Sequence, residues 1–194
     1  QLNGITGIAT ITAAQINNGS TDNCTIASTL IDVTTFDCLD VGANNVNLTV
    51  TDVNGNTSTC AAIATVEDNV APSALCKDIT VQLDVNGNAS ITANDVNNGS
   101  NDVCGIASVV VAPTSFTCSN VGANVVTLTV TDNNGNVSIC SPTVTVQDNV
   151  APVANCQDVT VQLNGSNMAS ITGADVNNGS TDACGIGSLS VSPN

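Results

Sequence analysis

The cysteines constrain this chain more than anything else in it. They stand at positions 24, 38, 60, 76, 104, 118, 140, 156 and 184, and adding 80 to each of the first five gives the last five. The flanking sequence repeats with them: NNGSTDNCTIAS at 17–28, NNGSNDVCGIAS at 97–108 and NNGSTDACGIGS at 177–188. VGANNVNLTVTDVNGN at 41–56 likewise returns as VGANVVTLTVTDNNGN at 121–136, and EDNVAP at 67–72 as QDNVAP at 147–152. The chain is therefore a tandem array with an 80-residue unit. Residues 1–70 read as a truncated copy lacking its first strand, 71–150 as one complete copy, and 151–194 as the N-terminal part of a third. Such a chain is expected to be a window onto a longer array, with neighbouring copies as each unit's first partners.

Within a copy the apolar residues alternate with polar ones. Ile79, Val81 and Leu83 flank Thr80 and Gln82; Val126, Leu128 and Val130 flank Thr127 and Thr129; Val144 and Val146 flank Thr143 and Thr145. A period of two means strands with one wet face. Asn86-Gly87 and Asn134-Gly135 supply turns between them. No capped helical stripe is evident. The expected fold is all-β, a string of small β-sandwiches set end to end, with each Asp-Asn-Val-Ala-Pro segment as a joint that proline stiffens.

Composition removes several function classes. Sixteen acidic residues against one basic residue give a net charge of −15, and there is no His, Trp or Tyr. Lys77 alone cannot neutralise a run of phosphates, so nucleic acid is not an expected partner. No apolar run is long enough for direct membrane insertion. Ser and Thr are abundant, but no imidazole stands by to activate them, and the chain is not expected to be an enzyme. The hydrophobic share of 42% is still enough for a core.

Four cysteines per small, ring-poor unit point to an oxidising, extracellular setting. In a sandwich the first and last strands commonly run side by side. Each would begin with a cysteine here, which predicts Cys76–Cys140, with a bulge near Cys76 to correct its phase. That leaves Cys104–Cys118 and, by periodicity, Cys24–Cys38. Cys60, Cys156 and Cys184 would then find partners outside this stretch. A bridge between successive copies is not expected, because an end-to-end string separates the cysteines too far.

The order Ala-Pro-x-x-x-Cys-x-Asp-(Ile/Val)-Thr-Val, Asp-x-Cys-Gly and Val-Gly-x-Asn-x-Val-x-Leu-Thr-Val-Thr-Asp-x-Asn-Gly-Asn, then a cysteine-bearing last strand, resembles the HYR-type immunoglobulin-like repeat. The resemblance covers essentially the whole chain. Its Asn/Thr-rich form is similar to arrays in giant secreted surface adhesins of gliding bacteria, including those of gliding motility. Membership would imply immunoglobulin-like sandwiches and a cell-surface role in adhesion or scaffolding.

The carboxylates admit two readings. Hard oxygen ligands without nitrogen competitors suit calcium. An immunoglobulin-like topology would gather Glu67, Asp68 and Asn69 of the joint with Asp95, Asp102, Asp132, Asn134 and Asn136 at one pole. The turn Asp84–Asn88 would face the next joint, Asp148 and Asn149, where Asp182 repeats Asp102. Alternatively, Asp and Asn are simply good turn formers and the charge keeps the chain soluble. The expected function is a disulfide-stapled stalk or filament segment of an extracellular adhesin, whose identical chains could bundle. The alternatives are repeats that themselves bind a ligand such as polysaccharide, or an accessory module of a secreted enzyme. Phe36 and Phe116, the only rings, recur beside Cys38 and Cys118 and read as core residues rather than a sugar platform.

Overall fold

Strands form in the first two copies where the alternating segments predict them, and the third copy holds none among the residues 1–192 that the computed structural model describes. Pro193 and Asn194 lie outside this range. The first copy holds β1 (Ala9–Thr10), β2 (Ile26–Ile31), β3 (Thr35–Phe36), β4 (Gly42–Asp52) and β5 (Thr57–Val66). The second holds β6 (Ile79–Gln82), β7 (Asn88–Ser90), β8 (Ile106–Ala112), β9 (Ser115–Thr117), β10 (Gly122–Val125), β11 (Thr127–Asp132), β12 (Val137–Cys140) and β13 (Thr143–Gln147). The protein is all-β apart from single helical turns. These are α1 (Ala13–Ile16), α2 (Ala93–Val96) and α3 (Gly173–Val176), with 3-10 turns at Cys38–Asp40 and Cys118–Asn120.

The helical turns were not expected, and each opens on the same device. Thr12, Thr92 and Thr172 are followed three residues later by Gln15, Asp95 and Asp175, whose side-chain oxygens reach back to the threonine backbone N–H. This is a capping box. One turn is too short to show a 3.6-residue stripe, so only the Thr-x-x-(Asp/Gln) spacing could have revealed it.

One proline changes the strand plan between copies. In the first copy β4 pairs with β5 without a break from Gly42↔Val66 to Thr51↔Thr57. The matching stretch of the second copy is cut into β10 with β11 and β12 with β13. There Ser141-Pro142 replaces Ala61-Ala62, and proline has no N–H to give a ladder. The Pro142 carbonyl instead accepts from Val126 N at 3.0 Å. The resulting sheets run β12-β11-β8 and β10-β13-β6, against β2-β4-β5 in the first copy. β13 and β6 are parallel, with Val144↔Ile79 and Val146↔Val81 in register. β6 starts at Ile79, while Cys76 sits ahead of it in a single bridge to Asn97. The expected bulge is therefore unnecessary.

The chain packs as two compact units whose limits differ from the repeat boundaries. One comprises Gln1–Leu75 with Gly99–Val110 and Thr129–Cys140. Its core joins Leu2, Phe36, Val46 and Val66, against which Ile11, Ile31, Val33, Cys38 and Cys104 pack. The other comprises Cys76–Asn98, Val111–Leu128 and Ser141–Asn194. Leu83, Ile91, Val96, Phe116, Val126, Leu128, Val144 and Val146 are its buried apolar residues. The third copy contributes α3 and the bridges Val153↔Thr181 and Cys156↔Asn177.

The disulfides correct the sequence reading. Cys38 is bonded to Cys104, with Cα atoms 5.2 Å apart, and Cys118 to Cys184 at 5.1 Å. The expected Cys104–Cys118 and Cys24–Cys38 pairs do not form, and Cys24, Cys60 and Cys156 are free and exposed. Cys76 and Cys140 are both disulfide-bonded. The elimination failed because it confined pairing to one copy. In the fold, the loop carrying Cys104 packs into the same unit as Cys38, so residues 66 apart in sequence meet.

Each of these bridges lies on a glycine turn. Gly87 is buried with φ +74°, and a Cβ there would stand 2.6 Å from Cys118 Sγ and 3.6 Å from Cys184 Sγ. Position 167, its counterpart in the third copy, is Asn at φ +55°, a residue that tolerates the left-handed region. Gly87→Ala should therefore cost about 1–2 kcal/mol of backbone strain plus an overpacking penalty of about 1–3 kcal/mol. Gly99→Ala, at φ +80° with nothing within 4 Å, should cost the strain alone. Urea unfolding of both variants checks the difference; equal losses would contradict close packing of the turn on the bridge.

Candidate functional site

One cysteine of each of these two bridges, Cys104 and Cys184, is held by a short polar motif. Asp102 Oδ1 accepts from Cys104 N at 2.7 Å, and the Asp102 carbonyl accepts from Gly105 N at 3.3 Å. Asp182 holds Cys184 N at the same 2.7 Å, and Asp22 does so for Cys24. The Asp-x-Cys spacing, present in all three copies, thus folds into an Asx turn that fixes the backbone of the cysteine. The Asp-x-Cys spacing is the sequence signal of this turn.

Beside each bridge lies a joint aspartate. Asp68, Asp102 and Cys104 bring one oxygen or sulfur atom each within 4.8 Å of one another, and Asp148, Asp182 and Cys184 repeat the arrangement. Asp68 Oδ1 accepts from Val70 N at 3.1 Å, as Asp148 Oδ1 does from Val150 N. Asn136 Nδ2 donates to the Asp68 carbonyl at 3.0 Å and to Asp132 Oδ2 at 2.8 Å. Asp68 and Asp132 are buried. In the other unit, Val85 and Asn86 of the turn line a shallow cleft of about 500 Å³ with Val150, Ala151 and Asp182.

Most of the remaining candidates serve turns and caps of the backbone. Asp132 Oδ1 accepts from Asn134 N at 2.9 Å and Asn136 N at 2.8 Å. Asp52 and Asp84 make the same turn with Asn54 and Asn56, and with Asn86 and Asn88. Asp95 accepts from Thr92 N and Oγ1 in its cap, both at 2.7 Å. Glu67 Oε2 accepts from Asn69 Nδ2 on the surface at 3.1 Å, and Asn149 Nδ2 donates to Gln82 Oε1 at 2.6 Å. The turn-former reading accounts for Asp95, Asp132, Asn134 and Asn136. It does not account for Asp68.

These hydrogen bonds tune the carboxyls. The backbone N–H of Asn88 holds Asp84 below its ordinary value, Asn47 does so for Asp32, and the Asn56 side chain for Asp52. Thr92 and Thr172 do the same for Asp95 and Asp175. At Asp132 burial pushes the carboxyl up, but the side chain and backbone of Asn136 and the backbone of Asn134 outweigh it and the net direction is down.

No protein-family model matches the chain, and no curated protein is similar to it. The disulfides mark an oxidising compartment, and among the described residues no helix is long and apolar enough to cross a membrane.

A group whose pKa falls on folding stabilises the fold above its unfolded value, about 3.9 for Asp, and that stability is lost as pH falls through the folded value. The melting temperature in 0.15 M salt should thus be level from pH 8 to about pH 5 and fall below about pH 4. A rise on acidification would contradict this and mean that relief of the −15 charge dominates.

Proposed function

We propose that the chain is a tension-bearing segment of an extracellular stalk, of the kind built from HYR-type immunoglobulin-like repeats in large surface adhesins. The observation that carries this reading is covalent. Cys38–Cys104 and Cys118–Cys184 each close a span of 66 residues. A pull along the chain therefore passes through sulfur from 38 to 104, runs along the backbone only from 104 to 118, and passes through sulfur again to 184. In an array with an 80-residue period this leaves 14 residues of backbone per copy to extend. Cys24, by the same step, would pair in a preceding copy.

Burial of Phe36 and Phe116 supports the same reading, because it leaves no ring on the surface for stacking on sugars. The net charge of −15 favours solvation of the stalk. A cell-surface location, adhesion at a tip elsewhere, gliding motility and bundling with identical chains belong to this proposal.

Force spectroscopy tests it. Pulled from its termini, the oxidised chain can lengthen only through residues 1–38, 104–118 and 184–194, about a third of its backbone, at about 3.3–3.6 Å per residue. Reduction should therefore roughly triple the final contour length. Near-full extension of the oxidised chain would overturn the reading, since pairs such as Cys104–Cys118 shield only short spans.

A further inference from the structure

We infer that the Asp68–Asp102 pair is a binding site for a hard divalent cation, calcium rather than magnesium, and that Asp148–Asp182 is its second copy. The inference starts from one atom. Asp68 is only 6% exposed. Its Oδ1 accepts from Val70 N, but its Oδ2 is buried without a hydrogen-bond partner. A carboxylate oxygen removed from water and given no donor is costly, and folded proteins rarely keep one. Here the cost is compounded, because the Asp102 carboxylate comes within 4.8 Å and like charges at that range repel.

Nothing basic in the chain can relieve both pairs. Lys77 is the single Lys or Arg, and its charge acts on Asp95. The third atom of each cluster, the sulfur of Cys104 or Cys184, is spent in a disulfide and carries no thiolate charge. What remains is a pair of carboxylates with oxygen donors only, which selects hard cations over zinc or copper. Two protein carboxylates completed by water do not impose a strict octahedron, and calcium accepts irregular shells of about 6–8 oxygens where magnesium does not. The same two residues and the same Asx turn recur 80 residues on, where Asp148 is half-buried and lacks the orphaned oxygen that Asp68 carries, so the second site should be the weaker of the two. A cation there would tie the joint to the loop that presents the disulfide cysteine. Asp95, Asp132 and Glu67 have other bonds to make and stand outside the site.

Calorimetric titration of the intact, oxidised chain with CaCl₂ in 0.15 M NaCl, after treatment with EDTA, is the test. Two equivalents should bind in the range typical of extracellular modules, a Kd of about 10⁻⁴–10⁻³ M, with MgCl₂ weaker. Asp68→Asn with Asp148→Asn should weaken binding by about tenfold or more, and Asp95→Asn should leave it unchanged. Asp102→Asn with Asp182→Asn, on the half-buried partners, repeats the test should the first pair disturb folding, which far-UV circular dichroism reports. Calcium should also raise the melting temperature of the natural chain and not of these variants. No heat and no thermal shift at 10 mM CaCl₂ would overturn the site. So would equal binding by the Asp68/Asp148 variant, which would assign the ion to the diffuse field of the acidic surface.

Discussion

A covalent step of 66 residues inside a period of 80 organises this chain. Because the step is shorter than the period, Cys38–Cys104 and Cys118–Cys184 do not overlap, and a short run of backbone separates one from the other. In the chain-entropy picture a bridge closing a loop of this length removes about 4 kcal/mol of freedom from the unfolded chain. That matters for a protein whose core is small. The fully buried side chains are mostly valine, with a single phenylalanine among them, and such cores leave little margin.

The local chemistry is arranged around the same bridges. The Asx turn of Asp102 sets the backbone of Cys104, and that of Asp182 sets Cys184. The glycine turn at Gly87 lets the Cys118–Cys184 bridge approach the chain more closely than any side chain would permit. Sixteen acidic residues are tolerated largely because many take backbone N–H groups at turns and caps, satisfying donors that strands and helical turns leave open. Asp68 is the exception. Its Oδ1 takes Val70 N, but its Oδ2 is buried without a partner and the residue lies beside Asp102 and Cys104, which is why it reads as a ligand instead of a clamp.

Much of the fold was legible because it depends on local pattern. The alternation around Val126, Leu128 and Val130 marked a strand, Phe36 and Phe116 marked the core, and the first and last strands of the second copy lie side by side as expected, in parallel. The helical turns hid because four residues carry no periodicity, although Thr92 and Asp95 announced a cap. The disulfides were misread for a different reason. Periodicity equates Cys104 with Cys184 but says nothing about which copy supplies a partner, and only packing of the 99–110 loop into the unit of Cys38 decides it. Of the acidic candidates, sequence could name Asp68 and Asp102 but could not separate them from Asp95 or Asp132. Burial and hydrogen bonding make that distinction.

Digestion of the oxidised chain with a protease cutting before aspartate tests the central claim most directly. No aspartate lies between Asp102 and Asp132, so Cys104 and Cys118 stay on one peptide, 102–131. The bridges found here predict that this peptide is released as a three-part assembly with 37–39, carrying Cys38, and 182–194, carrying Cys184. Recovery of 102–131 alone with an internal Cys104–Cys118 bond would contradict the account.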